Sequence, residues 1–215
     1  MFCFVKFCES KKAYREISST IRRRDKMKHT AFKAEEYDKK IRQTLPYYED
    51  FYKQILDILS VMGKNDAVWL DISKNRFQKA GNRFEQTAVQ EIEEYEKYDV
   101  ITAVQVNHYL SEKDRESAVK NCYQALKKGG IFFSFENIAP NSEKGKQIVL
   151  QRWQNYQIAN GKDPAEADAH IRRYGTEYFP ITVNAHFETM QKGGVQNVEL
   201  IWMSYMQAGF MGIKE

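Results

Sequence analysis

The sequence predicts an α/β fold: a mostly parallel sheet with helices on both faces, closed by an antiparallel hairpin at the C-terminal end. Three observations predict it. Ala67-Val68-Trp69-Leu70-Asp71, Tyr98–Val104 and Ile131–Phe135 are short apolar runs without alternation, the pattern of strands covered on both faces. The last two of these flank one helical pattern, which makes a βαβ unit with a right-handed crossover. Finally, Val198–Tyr205 and Gly209–Ile213 are separated by few residues, a spacing that suits antiparallel pairing.

A chain of 215 residues makes one domain, or one domain with a lid. It contains no apolar run long enough to span a bilayer, so no membrane partner is expected. The apolar start Met1–Cys8 lacks a basic leader and a small-residue cleavage site, which argues against a signal peptide. Cys3, Cys8 and Cys122 are too sparse, and His29, His108, His170 and His186 too scattered, for a metal site. Free thiols and a cytoplasmic location are the expectation. Residues 1–28 carry 9 Lys/Arg against 3 Asp/Glu, and the rest of the chain 24 against 26. The positive balance therefore belongs to a basic N-terminal arm, expected to be solvated and poorly ordered, and residues 29–215 form the domain. Nucleic acid is not expected as a partner on this charge alone; a homodimer stays open.

Taken in order, Tyr37, Ile41 and Leu45 are spaced by four, and Pro46 stands where a second helix can begin. Phe51, Ile55, Ile58, Leu59 and Met62 continue a face of period 3.6 that packs on the sheet. After Asp71, Ser73 can cap a short helix with Phe77 and Ala80 inward, stopped by Gly81. Arg83–Val89 then reads as an edge-side strand. Ser111 and Asp114 form a capping-box pattern for a helix with Ala118, Val119, Cys122 and Ala125 inward. Lys127-Lys128 suit its negative end and Gly129-Gly130 its stop. Residues 141–180 read as an inserted helical cap over the strand mouths, with Trp153 and Tyr156 inside and Pro164 at a second helix start. Val183–Lys192 is one more helix, stopped by Gly193-Gly194.

Several of these pieces resemble the class I S-adenosylmethionine-dependent methyltransferases. Tyr98–Leu110 is similar to that family's fourth strand and the turn after it. Ala125-Leu126-Lys127-Lys128-Gly129-Gly130-Ile131-Phe132-Phe133 is similar to its "L-K-P-G-G" helix end and fifth strand, and Val198–Ile213 to its closing antiparallel strands. Phe32–Tyr52, with Tyr37-Asp38, resembles the N-terminal lid of small-molecule members. The resemblance implies a Rossmann-like sheet, S-adenosylmethionine as cofactor and a small-molecule methyl acceptor. The chain departs from the family after its first strand, where a glycine-rich turn normally lets the backbone approach the cofactor. None of the 11 glycines lies between residues 64 and 80. Leu70-Asp71-Ile72-Ser73 also resembles the family's second strand, so one segment stands where the family has two, and the sheet is expected to have one strand fewer. The departure leaves open a catalytically inactive, methyltransferase-like interaction module.

By resemblance, Asp71 accepts hydrogen bonds from the ribose or the methionine amino group, Ala88 and Val89 lie beside the adenine, Gln105 lies near the methionine moiety and Tyr37 sits on the lid. Read from its own surroundings, Asp71 can equally cap the N–H groups of Ser73 and Lys74. His108 is a candidate general base, and Glu136, at a strand mouth, a candidate for orienting the acceptor. Arg173 and Tyr178, in the cap, are candidates for holding an anionic one. Each of these four can also be a structural or surface residue.

Overall fold

The computed structural model describes residues 34–64, 67–73, 76–79 and 94–215. The arm 1–28 and the expected strand Arg83–Val89, with Ala88 and Val89, lie outside the described residues.

Two helices open the described chain, α1 (Ala34–Thr44) and α2 (Tyr48–Val61). The sheet begins with β1 (Trp69–Ser73) and β2 (Arg76–Lys79). Next come β3 (Tyr98–Val104), a 3₁₀ turn (Asn107–Tyr109), α3 (Glu112–Ala125) and β4 (Leu126–Asn137). The cap supplies α4 (Glu143–Ala159) and α5 (Pro164–Arg172), and α6 (Val183–Lys192), β5 (Val198–Ser204) and β6 (Gln207–Ile213) complete the fold. The sheet order is β2-β1-β3-β4-β6-β5. β1, β3 and β4 are parallel neighbours at its centre, while β6 and β5 run antiparallel beside them.

The two faces divide the core. Leu70, Ile72, Ile101, Ala103 and Phe132 pack under α3 and α6; Val100, Val104, Ile131, Phe133 and Phe135 pack under α2. Both sides of β3 are thus covered, which is why Tyr98–Val104 shows no polar alternation. On α2, Phe51, Ile55 and Leu59 recur every four residues and are the buried stripe. Phe51 stacks on Phe135 at 5.0 Å and meets Trp202 edge-on at 4.9 Å. Cys122 is buried within α3, and burial pushes its thiol pKa up.

Two local readings are corrected. No helix follows Asp71: Arg76–Lys79 is a strand that returns antiparallel along β1, pairing Leu70 with Lys79 and Ser73 with Arg76. The outer edge of β1 would otherwise leave its backbone groups unpaired, and a short return strand satisfies them. Second, Gly129-Gly130 does not stop α3, which ends at Ala125 with Leu126 already extended. Lys127–Gly130 instead forms an irregular bulge at the start of β4, between the Tyr98–Leu126 and Val100–Ile131 pairs. Gly129 sits at φ 71°, and its N–H donates to the Lys214 carbonyl at 2.7 Å. The cation that meets the last carbonyls of α3 is Lys214, whose Nζ donates to Leu126 O at 2.8 Å. Lys127 pairs with Asp99 instead, at 2.9 Å.

The segment 141–180 is helical. Ser142 caps α4 and Asp163 caps α5, with Pro164 at the first position. Its interior is Trp153, Tyr178 and Leu45, joined by Met206. α1 belongs to this unit: Trp153 Nε1 donates to Thr44 O at 2.6 Å and Tyr156 Oη to Arg42 O at 3.1 Å. Among the described residues no helix is long and apolar enough to cross a membrane.

Candidate functional site

In open α/β sheets ligands bind outside the carboxyl ends of the parallel strands, so the exits of β1, β3 and β4 are where a site belongs. Asp71 lies opposite Thr102 in the β1–β3 pair. Thr102 Oγ1 donates to Asp71 Oδ1 at 2.8 Å and accepts from Trp69 Nε1 at 3.0 Å. Thr102 is fully buried and Asp71 partly so. Asp71 is not the last residue of its strand, since Ile72 and Ser73 extend β1 before the return. One carboxylate oxygen is therefore held by the neighbouring strand.

Gln105, the first residue past β3, adopts a left-handed backbone at φ 56°. Its N–H donates to Phe135 O at 2.7 Å, so the turn is tied across to β4. The next three residues are fastened by Glu136. Its carboxylate accepts from the N–H groups of Val106 at 3.4 Å, Asn107 at 3.1 Å and His108 at 3.2 Å. His108 Nδ1 lies 2.7 Å from Glu136 Oε2, and its Nε2 lies 3.4 Å from Asn137 Nδ2. An amide nitrogen can only donate, so Nε2 is the acceptor and the ring proton sits on Nδ1, facing Glu136. Both side chains are sealed from solvent, His108 at 1% exposure and Glu136 at 0%. As predicted, Glu136 lies at a strand mouth, but it faces inward and positions the β3 exit; His108 is held in the same network.

The cap is clipped onto this turn. Phe179 N–H donates to His108 O at 2.6 Å, and buried Arg115 donates to Phe179 O at 2.7 Å and from Nε to Asn107 O at 3.0 Å. Ala139 N–H donates to Ile181 O at 2.8 Å, which lays residues 179–181 across the end of β4. Tyr178 is buried in the cap, its hydroxyl donating to His170 O at 3.3 Å, and burial raises its pKa. Burial lowers the His170 pKa to about 3, and nearby Lys162 and Arg173 add to the effect. Arg173 ends α5 at the surface, paired with Glu177 at 2.7 Å. Tyr37 lies on α1.

The structure thus brings Gln105, His108 and Glu136 together, with Asp71 on the next strand; Arg173 and Tyr178 belong to the cap. Sequence reasoning missed Thr102, Ser134, Arg115 and His186. Ser134 and Glu136 alternate as polar residues in an apolar strand, which marks one face. Arg115 stands three, four and seven residues before Ala118, Val119 and Cys122, which marks it as inward. No group of three His, Cys, Asp or Glu residues among the described residues could hold a metal ion.

Residues 53–132 match the methyltransferase domain family. Over that segment and in its sheet the chain is similar to the class I S-adenosylmethionine-dependent methyltransferases. It is 21% identical over 212 residues to a carboxy-S-adenosyl-L-methionine synthase of Staphylococcus epidermidis, covering 84% of this chain and 92% of that protein. Similarity to the enzyme of the same name from Chromohalobacter salexigens is 25% over 103 residues, covering 48% of this chain and 38% of that one. The structure of human N-acetylserotonin methyltransferase with its cofactor overlaps 60% of this chain and 33% of its own, at TM-score 0.43 and 12% identity.

The fit to the family's cofactor is uneven. The β1–β3 wall offers a carboxylate and an amide, Asp71 and Gln105. A glycine turn and helix start after β1 would supply close backbone approach and N–H donors. The sequence has no such glycines, and β1 turns back into β2.

Proposed function

We propose that this chain binds S-adenosylmethionine along the β1–β3 wall and transfers its methyl group to a small-molecule acceptor at the β3–β4 exits, under the edge of the cap. The observation that carries the reading is the parallel β1–β3 pair with Asp71 held by Thr102, beside a left-handed Gln105. When bound, the cofactor supplies a methyl group on a sulfonium, so the protein needs alignment and exclusion of water more than a covalent catalyst. Asp71 and Gln105 hold the cofactor, with Ala88 and Val89 beside its adenine and Tyr37 on the lid side. Glu136 and His108 fix the backbone of residues 105–108 and so the position of Gln105. Tyr178 and Arg115 hold the cap on that turn, and Arg173 presents a cation at the cap surface.

Calorimetric titration with S-adenosylmethionine and S-adenosylhomocysteine tests the reading, with saturable micromolar binding as the expected result. The relatives' shared name favours a second product, a carboxylated S-adenosylmethionine; mass analysis of the nucleoside pool distinguishes it from a methylated acceptor. Absence of heat and of any thermal shift with either nucleoside would leave a non-catalytic interaction module, the reading that the missing glycines favour.

A further inference from the structure

A groove of about 700 Å³ runs along the outer face of α4 and ends at the β5–β6 turn. Its lining recurs at helical spacing from Lys144 to Ala159, about 22 Å of helix. It includes Lys144, Gln151, Arg152, Asn155, Tyr156 and Tyr205, and no carboxylate. Arg152 lies over the Tyr205 ring, 3.8 Å from its centroid. Neither Arg152 nor Lys144 has an acidic partner among the described residues, whereas Lys146, Arg172 and Arg173 each pair with an acid of their own helix or the turn after it, and Lys162 is held by Thr44 and Gln157. Tyr156 meets Tyr205 edge-on at 5.3 Å, and Tyr47 lies 6.4 Å from Tyr205. Tyr47 and Tyr205 are both in the left-handed region, at φ 55° and 52°, where aromatic side chains are rare. Tyr47 keeps 56% of its surface exposed. Strained backbone at two separate turns thus presents rings to one spot beside an uncompensated guanidinium.

That combination suits a ligand with flat faces and negative charge repeating along a line. Bases stack on tyrosine and guanidinium planes, and phosphates meet cations, without sequence readout. We propose that this groove binds nucleobase–phosphate units, with a single-stranded nucleic acid as the occupant that its length favours: 22 Å spans about six stacked nucleotides. A free nucleotide shares the chemistry and fills only part of the groove. The expectation that nucleic acid is not a partner rested on the charge of residues 1–28, which this surface does not involve. Nor does the inference depend on S-adenosylmethionine binding.

The test is fluorescence anisotropy of the full chain with a labelled twelve-nucleotide uridine oligomer at low salt, repeated with the matching duplex and with AMP as competitor. Arg152→Glu is expected to weaken oligomer binding at least tenfold and to flatten its salt dependence. Tyr205→Asn removes the ring while suiting the left-handed backbone, and is expected to weaken binding severalfold with the salt slope unchanged. Lys146→Glu makes the same charge change on α4 outside the groove and is expected to leave affinity within twofold. AMP displacing the oligomer at equal affinity per site would assign the groove to free nucleotides, within the same chemistry. No binding of oligomer or AMP at low salt overturns the proposal. So does binding that Arg152→Glu and Tyr205→Asn leave intact, because the basic arm then carries it. Equal loss in Lys146→Glu, or a duplex bound as tightly as the single strand, overturns it too.

Discussion

On the β4 side of the sheet a 12-residue strand is paired along both edges, buried almost throughout and locked at its mouth by a carboxylate that gathers three backbone N–H groups and an imidazole. On the β1 side a strand of five residues is bordered by one of four, and the Asp71 carboxylate accepts from a threonine on the next strand. Under the proposed function the first side faces the acceptor and the second the cofactor. The difference shows which half of a shared fold can shrink. The β3–β4–β6 centre carries both hydrophobic faces and cannot be shortened without exposing them. The β1 side adds Leu70 and Ile72 to one of those faces and otherwise presents an edge, which a return strand satisfies.

The largest effect that could break this comparison is expected at Glu136. Glu136→Ala strands three N–H donors and the His108 proton in a site without water access, and each buried donor left unpaired costs about 1–3 kcal/mol. Glu136→Gln keeps an acceptor oxygen and loses less. Urea denaturation of both variants checks this. A cost below about 1 kcal/mol for the alanine variant, within the range of an ordinary surface change, would mean that the mouth of β4 is no stiffer than that of β1.

Next in size is acid. His186 packs on the Phe210 ring at 4.8 Å, and burial lowers its pKa from 6.5 to about 4, with Glu136 opposing that shift and Arg115 reinforcing it. The unfolded imidazole takes up a proton more readily than the folded one. Its contribution to stability is therefore full above about pH 6.5 and drains as the pH falls toward about 4. The total is on the order of 3 kcal/mol. Stability against pH, compared between the parent and His186→Gln, isolates it. Identical slopes between pH 6.5 and 4 would show that this region is open to solvent. A smaller effect is expected at Gly209, where a Cβ would lie 2.3 Å from a Phe135 ring carbon. Phe135 is pinned between Phe51 and Trp202 and cannot move aside. Gly209→Ala should cost about 1–3 kcal/mol by overpacking, read as a shift in the denaturation midpoint at constant slope.

The sequence made the β4 side far more legible than the β1 side, for a physical reason. Val198–Ser204, Val183–Lys192 and the Ser111 cap are encoded locally, by continuous apolar runs and by side chains that bond within their own turn. The polar network was only partly legible. The alternation of Ser134 and Glu136 is local, but their partners Val106, Asn107 and His108 lie 27 or more positions away. Gly129-Gly130 misled because glycine serves a helix stop and a bulge equally well. Ser73–Lys79 misled because a segment too short for strong periodicity takes its structure from whichever backbone edge needs a partner, and β1 offered one.

The smallest expected effect sharpens the comparison most. Thr102→Val preserves volume on the β3 strand and removes the hydroxyl that joins Trp69 Nε1 to Asp71 Oδ1. The indole N–H and the carboxylate are only partly buried, so water can replace part of what is lost, and the cost to folding is about 1 kcal/mol. Cofactor affinity is expected to respond more, because Asp71 loses the Thr102 contact that helps fix its direction while the sheet around it stays intact. Parallel measurement of unfolding and of S-adenosylmethionine titration for Thr102→Val therefore separates the two roles of the β1 side. A several-fold loss of affinity at nearly unchanged stability places Asp71 in the cofactor wall. Equal affinity in parent and variant would make the Trp69–Thr102–Asp71 chain a strand fastening alone, and move the ligand's contacts to the Gln105 turn.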